Sequence, residues 1–350
     1  MTSIRDLAQH LGISIGTVSR ALNGKPDVSE ETKSKVLKAA AELGYVPNMA
    51  GRALSKGRNN VVGFVLQADI EGMASGSDLF FMRVFDGMQS VLLQNGLNLV
   101  ALLSPSSQDP EAYLKQIVAQ RFTDALVLSS IQRHDARISY LADKNLPFVT
   151  LGRSMVDAGQ PRLDLDFEGI VSDAITRLVE KGHRRIALAI PEKELNYSQL
   201  MSDSYRKTLH SLGIELDESL ILETATGDND GVHLVHTIMQ MPRRPTAVIY
   251  TNQILPFGIF RGLAERGLTP GKDLSVIGIG SRLANFLTPN ITHYSFDLYN
   301  LGERIAKALL QVIDDPYHGR QSKVIQETVP FTFVEGDSVW EENINNKTDV

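Results

Sequence analysis

Cysteine is absent from all 350 residues. That excludes disulfides and cysteine-ligated metal sites. Tryptophan occurs once, and aromatic residues make up only 7% of the chain. No stretch approaches the ~20 consecutive apolar residues that a membrane-spanning helix needs. Acidic and basic residues precede any apolar run at the N-terminus, a pattern unlike a secretory signal. The eight histidines show no His-Glu-x-x-His or comparable ligand spacing. The expectation is a cytoplasmic protein with no membrane partner, no metal and no cofactor.

Apolar residues at 43% and charged residues at 22% describe an ordinary globular chain. Its length exceeds the ~100–200 residues of one domain, so two or three are expected. The net charge of −6 is unevenly spread. Residues 1–60 hold nine Lys/Arg against five Asp/Glu, an excess of +4 beside −10 for the remainder. A basic segment at one end of an acidic chain is the electrostatic footprint of a nucleic-acid-binding unit.

That segment is organised around Ser3 to Leu22. Ile4, Leu7, Ala8 and Leu11 recur with helical period. Ser3 suits the N-cap and Asp6 the first turn. Gly12-Ile13 breaks the helix, and Ser14 caps a second one with Val18 and Leu22 inward. Two short helices across a glycine turn fit a helix-turn-helix, whose second helix enters the DNA major groove. They also fit a plain helical hairpin. A third helix follows Ser29, buries Val36, Ala40 and Leu43, and ends at Gly44. Residues 1–46 thus form a headpiece, 47–58 a hinge helix and linker, 59–340 the main domain and 341–350 a polar tail. The hinge is too short to be a stable helix alone.

Beyond Val61, apolar runs of strand length alternate with helical periods. The runs are Val61–Leu66, Leu97–Leu103, Ala125–Leu128, Phe148–Leu151, Ile186–Ile190, Ala247–Tyr250 and Leu274–Ile279. Continuous apolar strands between helices predict parallel sheets covered on both faces, here two doubly wound subdomains. Ligands in such folds sit at the carboxyl ends of strands. Gly12-Ile13-Ser14-Ile15-Gly16 has the spelling of a hydrolase nucleophile elbow but follows a helix, and that turn needs a strand before it. Gly278-Ile279-Gly280 lacks the third glycine of a dinucleotide loop, since Leu283 stands there. No catalytic constellation emerges. His183, Arg184 and Arg185 read as a capping and surface feature.

The run Ser3-Ile4-Arg5-Asp6-Leu7-Ala8, Ser14, Thr17-Val18-Ser19-Arg20, Leu22-Asn23, Val28-Ser29, Leu43-Gly44-Tyr45, Pro47-Asn48 and Leu54 resembles the LacI/GalR family of bacterial transcription repressors. The likeness continues through Phe80-Phe81, Gly182 to Ala187, Asn252, Ser275 to Gly278 and Leu301-Gly302. The resemblance implies an all-α helix-turn-helix headpiece joined by a hinge helix to an α/β domain like the periplasmic sugar-binding proteins. It implies a nucleoid-associated homodimer on a pseudo-palindromic operator, with a sugar-like effector between the subdomains.

By the same resemblance, Ile15, Gly16 and Arg20 read bases, while Ser14, Thr17, Ser19 and Asn23 meet phosphates. The chemistry agrees, since the arginine fork matches guanine O6 and N7. Asn48, Arg52 and Leu54 fall in the DNA-bound hinge, Leu54 as the minor-groove wedge. Asp78, Phe80, Phe81, Arg153, Met201, Asn252, Gly280 and Phe296 fall at effector positions. Met201, Gly280 and Phe296 depart from the family's arginine, aspartate and glutamine there. Loss of that charge clamp suggests an opened space for a disaccharide or glucoside, with Asn196 and Tyr197 as replacement contacts. A sugar-binding protein without a regulatory role and a regulator of a non-sugar ligand both remain open.

Overall fold

The computed structural model describes residues 2–22, 25–45, 59–68, 77–105, 107–191, 194–224, 229–280, 286–314 and 324–341, with backbone alone at 68 and 77–79. The chain divides after Asn59 into two compact units.

The first unit holds α1 (Ile4–Leu11), α2 (Ile15–Leu22) and α3 (Glu30–Glu42). Ser3 and Asp6 form a reciprocal capping box on α1. Gly12 ends the helix with φ +63°, a conformation open to glycine. Ser14 Oγ accepts from Thr17 N at 3.0 Å and starts α2. Ser29 does the same for α3 through Thr32 N at 3.3 Å. Leu7, Val18 and Val36, one from each helix, are wholly buried against one another's neighbours Ala8, Ala21 and Ala39.

The second unit begins with β1 (Val61–Ala68), α4 (Ser77–Gln94), β2 (Asn98–Pro105), α5 (Pro110–Gln120), β3 (Ala125–Leu128), α6 (Ala136–Asp143), β4 (Phe148–Leu151) and β5 (Arg162–Leu165). It continues with α7 (Phe167–Glu180), β6 (Ile186–Ile190), α8 (Asn196–Ser211), β7 (Ile221–Glu223), α9 (Asp230–Gln240), β8 (Ala247–Tyr250), α10 (Leu255–Ala264), β9 (Ser275–Ile279) and β10 (Thr292–Ser295). Then come α11 (Leu298–Asp314), β11 (Gln326–Val329) and β12 (Thr332–Val334).

Two six-stranded sheets result, ordered β11-β5-β4-β3-β1-β2 and β12-β10-β9-β8-β6-β7. The pairings are parallel except β10 with β12. β3, β6, β8 and β9 are buried along their whole length, as strands covered on both faces must be. Each sheet carries an apolar core on either face.

The chain passes between these two lobes three times: from β5 to α7, from β10 to α11 and from β11 to β12. A phenylalanine stands at each passage: Phe167, Phe296 and Phe331. Phe167 and Phe296 pack on the cores of both lobes, their rings 6.4 Å apart. In the first lobe α4 and α11 touch backbone to backbone. A Cβ at Gly302 would lie 2.0 Å from Val84 O, and one at Gly87 2.0 Å from Tyr299 O.

His183 is a correction to the sequence reading. It is fully buried rather than superficial. Its Nδ1 lies 2.8 Å from Thr246 Oγ1, and its Nε2 meets Ser275 Oγ at 2.9 Å and the carbonyl of Trp340 at 3.2 Å. A buried imidazole needs partners at both nitrogens, and these three supply them. Arg184 and Arg185 do reach partly exposed caps and carbonyls.

Candidate nucleic-acid interface and effector cleft

In the headpiece, burial of Val18 and Ala21 turns the opposite face of α2 outward. Ser14, Ile15, Gly16 and Arg20 are exposed there, and Thr17 and Ser19 are half-buried. Ile15 is 45% exposed on that face. A Cβ on Gly16 would meet nothing closer than Ser14 Oγ at 3.6 Å, so the headpiece's own packing does not require glycine. Arg20 lies 3.4 Å from Asp27 across the following turn, with both side chains more than half exposed. Asn23, Asn48, Arg52 and Leu54 lie outside the described residues.

In the second unit, loops at the carboxyl ends of β3 and β6 meet across the lobes. Gln132 and Leu195 form an antiparallel bridge. Asn196 N donates to Ile131 O at 2.9 Å, and Arg133 N to Glu194 O at 3.3 Å. Asn196 Nδ2 adds a bond to Arg153 O at 2.6 Å. The loop after β3 is held from beneath by the buried pair of Arg137 and Asp135, 2.7 Å apart. Arg137 also donates to the carbonyls of Ser129 and Ser130. Asp135 accepts from Gln132 N, which sets the strap's register.

Arg153 projects from the end of β4 into a group of carboxylates. Its Nε lies 3.1 Å from Asp164 on β5, and its Nη2 donates to Glu168 in the first turn of α7. Burial pushes the Asp164 carboxyl up to about 6, against the pull of the Arg153 and Arg162 guanidiniums. Beside this group Tyr197 stacks on Phe167 with ring centres 4.9 Å apart and planes 23° from parallel. Among the described residues there is no group of His, Asp or Glu arranged to hold a metal.

Comparison with known proteins gives this arrangement its context. Residues 3–48 match the model described as bacterial regulatory proteins, lacI family, and 175–339 match a periplasmic binding protein-like domain. The HTH-type transcriptional regulator AglR of Rhizobium meliloti (strain 1021) is 34% identical over 320 residues, covering 88% of this chain and 87% of AglR. This chain belongs to the LacI family. Like its relatives, it is a DNA-binding transcriptional regulator and not an enzyme. The lac repressor dimer bound to operator and the anti-inducer ONPF shares the fold, with a TM-score of 0.82 at 23% identity over 97% of this chain and 99% of that one. A transcriptional regulator CelR–cellobiose complex superposes with a TM-score of 0.71 at 24% identity, over 97% and 100%.

Several residues expected at the effector site of this LacI-family regulator do converge between the lobes. Arg153, Tyr197 and Phe296 are half-buried there, near Asn196. Phe80 and Phe81 lie half-buried in an edge-to-face group with Phe64 and Phe85 on the first-lobe core. Asn252 caps the turn into α10, its Oδ1 accepting from Ile254 N at 2.9 Å. The backbone of Asp78 lies in α4, and its side chain is outside the described residues.

Met201 and Gly280 depart from expectation. Met201 is wholly buried in the second-lobe core with Tyr205 and Leu209, which share its helical face at successive spacings of four. An apolar thioether follows that stripe inward. The room beside Gly280 is filled by His293, whose ring would lie 2.1 Å from an added Cβ. These substitutions therefore do not open the cleft. Sequence reasoning missed Phe167, Asp164 and Glu168. The available signal was a carboxylate inside an apolar run, Leu163-Asp164-Leu165.

Proposed function

We propose that this regulator is a repressor of carbohydrate uptake or utilisation genes, controlled by a sugar-like effector held between the two lobes. The carrying observation is the meeting of Arg153, Asn196, Tyr197 and Phe296 between the lobes, at carboxyl ends of parallel strands. Guanidinium and amide groups suit hydroxyls, and aromatic faces suit the C–H faces of a sugar ring. Asp78, Phe80, Phe81 and Asn252 complete the proposed effector set. The solved relative that carries cellobiose supports this class of ligand.

On the DNA side, Ile15, Gly16 and Arg20 read bases, with Ser14, Thr17, Ser19 and Asn23 on phosphates. Asn48 and Arg52 fix the hinge, and Leu54 wedges the minor groove. The headpiece is residues 1–46, the hinge 47–58 and the effector domain 59–340. The protein acts in the cytoplasm as a homodimer on a pseudo-palindromic operator. Support for pairing comes from apolar side chains left exposed in the second unit. Phe286 is 81% exposed beside Phe260 and Leu287, and Leu103 on the edge strand β2 is 52% exposed.

Operator affinity measured by fluorescence anisotropy, with and without a panel of sugars, tests the reading. DNA affinity should fall with salt at a log–log slope of about −0.9 per neutralised phosphate. One sugar should change operator affinity by roughly 5–150-fold. A panel that leaves affinity unchanged while a non-sugar metabolite shifts it refutes the sugar assignment. Leu54→Ala should reduce DNA bending and leave the effector affinity of the DNA-free protein unchanged.

A further inference from the structure

The charged groups around Arg153 form a nearly closed set. Its guanidinium is engaged by Asp164 at 3.1 Å and by Glu168. Asp166 stands between those two carboxylates in sequence and caps α7, its Oδ1 accepting from Gly169 N at 2.9 Å. Asp164 also feels the charges of Arg162 and Asp166. Three carboxylates thus face two guanidiniums, and the group carries a net negative charge. Asp164 is only 4% exposed, so water does little to screen it, while the Arg153 and Glu168 side chains at 29% and 46% can be reached from outside.

The amino end of a helix ordinarily welcomes an anion. At α7 that place is already taken by Asp166 on the cap and Glu168 in the first turn. Asn196 of the other lobe donates to the carbonyl of Arg153, and Tyr197 stacks on Phe167 between Asp166 and Glu168. Whatever enters beside Arg153 therefore meets a cation already neutralised and carboxylates that remain.

We propose that this cluster sets the charge of the effector: it admits an uncharged polyhydroxylated compound, a neutral glycoside, and rejects sugar phosphates and sugar acids. The proposal rests on the reading of the inter-lobe space as the effector site. A neutral hydroxyl donates to Glu168 and accepts from Arg153 without separating the ion pair, and such charge-assisted bonds are strong. A phosphate ester brings about −1.5 to −2 charges and only acceptor oxygens. It would have to displace both carboxylates from Arg153 and leave Asp164 buried without its counter-ion, beside a second anion. Discrimination of this kind works by repulsion built against the wrong ligand.

The test uses the full-length protein and matched pairs of probes: methyl α-glucoside and its 6-phosphate, trehalose and trehalose 6-phosphate, with maltose, cellobiose and gluconate. Thermal shift and operator anisotropy are read for wild type, Glu168→Gln and Arg153→Ala. A neutral member should bind at least 100-fold more tightly than its phosphorylated partner, and Glu168→Gln should narrow that gap at least tenfold by improving phosphate binding. If a phosphate ester binds as tightly as the neutral sugar and Arg153→Ala abolishes it, charge selection is overturned and the cleft assignment survives. If sugars bind and neither substitution changes any affinity, the effector lies elsewhere and both ideas fall. If no probe of either kind binds, the sugar-responsive reading fails and takes charge selection with it.

Discussion

The side-chain amide of Asn196 donates to the main-chain carbonyl of Arg153 at 2.6 Å, joining the start of α8 in one lobe to the loop after β4 in the other. The three passages between lobes leave from β5, β10 and β11, close to one edge of each sheet. The strap springs from β3 and β6, two strands from β5 and three from β10. At ~4.8 Å per strand, that sets it roughly 10–14 Å along the sheets from the hinge. The bridge of Gln132 and Leu195 thus acts further along the lever, while the bond of Asn196 to the loop after β4, one strand from β5, holds the lobes nearer the axis.

Asn196→Ala should therefore loosen the closed arrangement while leaving each lobe folded. A net cost of about 1 kcal/mol is expected for the lost bond, read as a small fall in Tm. The more telling readout is small-angle scattering of the effector-free protein, whose radius of gyration should rise. An unchanged radius would show that the backbone bridge of Gln132 and Leu195 suffices by itself.

At the headpiece, Asp27 holds Arg20 in the DNA-free protein, through an exposed pair worth at most about 1 kcal/mol. Asp27→Asn should release the guanidinium and remove one negative charge near the phosphates. Non-specific DNA affinity should rise several-fold, with a smaller gain on the operator. Arg20→Ala should cost about 1–3 kcal/mol on the operator and little on random DNA. Anisotropy on both DNAs separates the two effects, and equal losses for Arg20→Ala on both would mark it as a phosphate contact.

The buried Asp164 gives a pH dependence of definite sign. Its folded-state value lies near 6, above the 3.8 of the free carboxyl. The folded protein therefore binds the proton more tightly than the unfolded chain. The resulting stability is fully present below pH 3.8 and is lost as pH rises through about 6. Asp164→Asn removes the charge that burial penalises. The variant should be more stable than wild type at pH 7.5, by up to about 3 kcal/mol for a shift of this size. The difference should shrink by more than half at pH 4.5. Equal differences at the two pH values would show that the effect is one of packing and not ionisation.

Close approach of α4 and α11 predicts that Gly302→Ala destabilises the second unit. The new methyl would overlap the carbonyl oxygen of Val84, a backbone atom that cannot rotate away. Overpacking of this kind costs about 1–3 kcal/mol. Thermal unfolding should show a drop of several degrees, whereas Gly16→Ala, with open space at its Cβ, should leave the headpiece as stable or more so.

Much of this architecture was legible from the chain. Ala125–Leu128, Phe148–Leu151, Ile186–Ile190 and Ala247–Tyr250 are strands at the positions expected from their apolar runs. They lie inside sheets covered on both faces, where hydrophobicity is the whole signal. β5, β10 and β11 were not read. Arg162 and Asp164, His293, and Gln326 with Glu327 interrupt their apolar character. These three strands flank the passages between the lobes, where one lobe's residues face the other as well as their own core. The site was half legible for the same reason. Arg153 could be placed by resemblance and Tyr197 as a replacement contact, but their partners Glu168 and Phe167 come from a helix start whose neighbours only the folded chain supplies. Met201 was misplaced because resemblance follows position, while an apolar side chain follows the buried stripe.

The return of α11 and β11 to the first lobe has a consequence for how the protein is made. Val84, Met88 and Leu92 on α4 find their cover in Leu301, Ile305 and Leu309, more than two hundred residues further along the chain. A ribosome adding ~5–20 residues per second needs roughly 10–40 s to span that gap. Throughout this interval the second lobe emerges and can fold while the first waits with an apolar helix face uncovered and β5 as an unpaired edge. The first lobe to be translated is thus the last to gain its covering helix. In the nascent chain, α4 and the open edge of β5 are the surfaces that chaperones must shield.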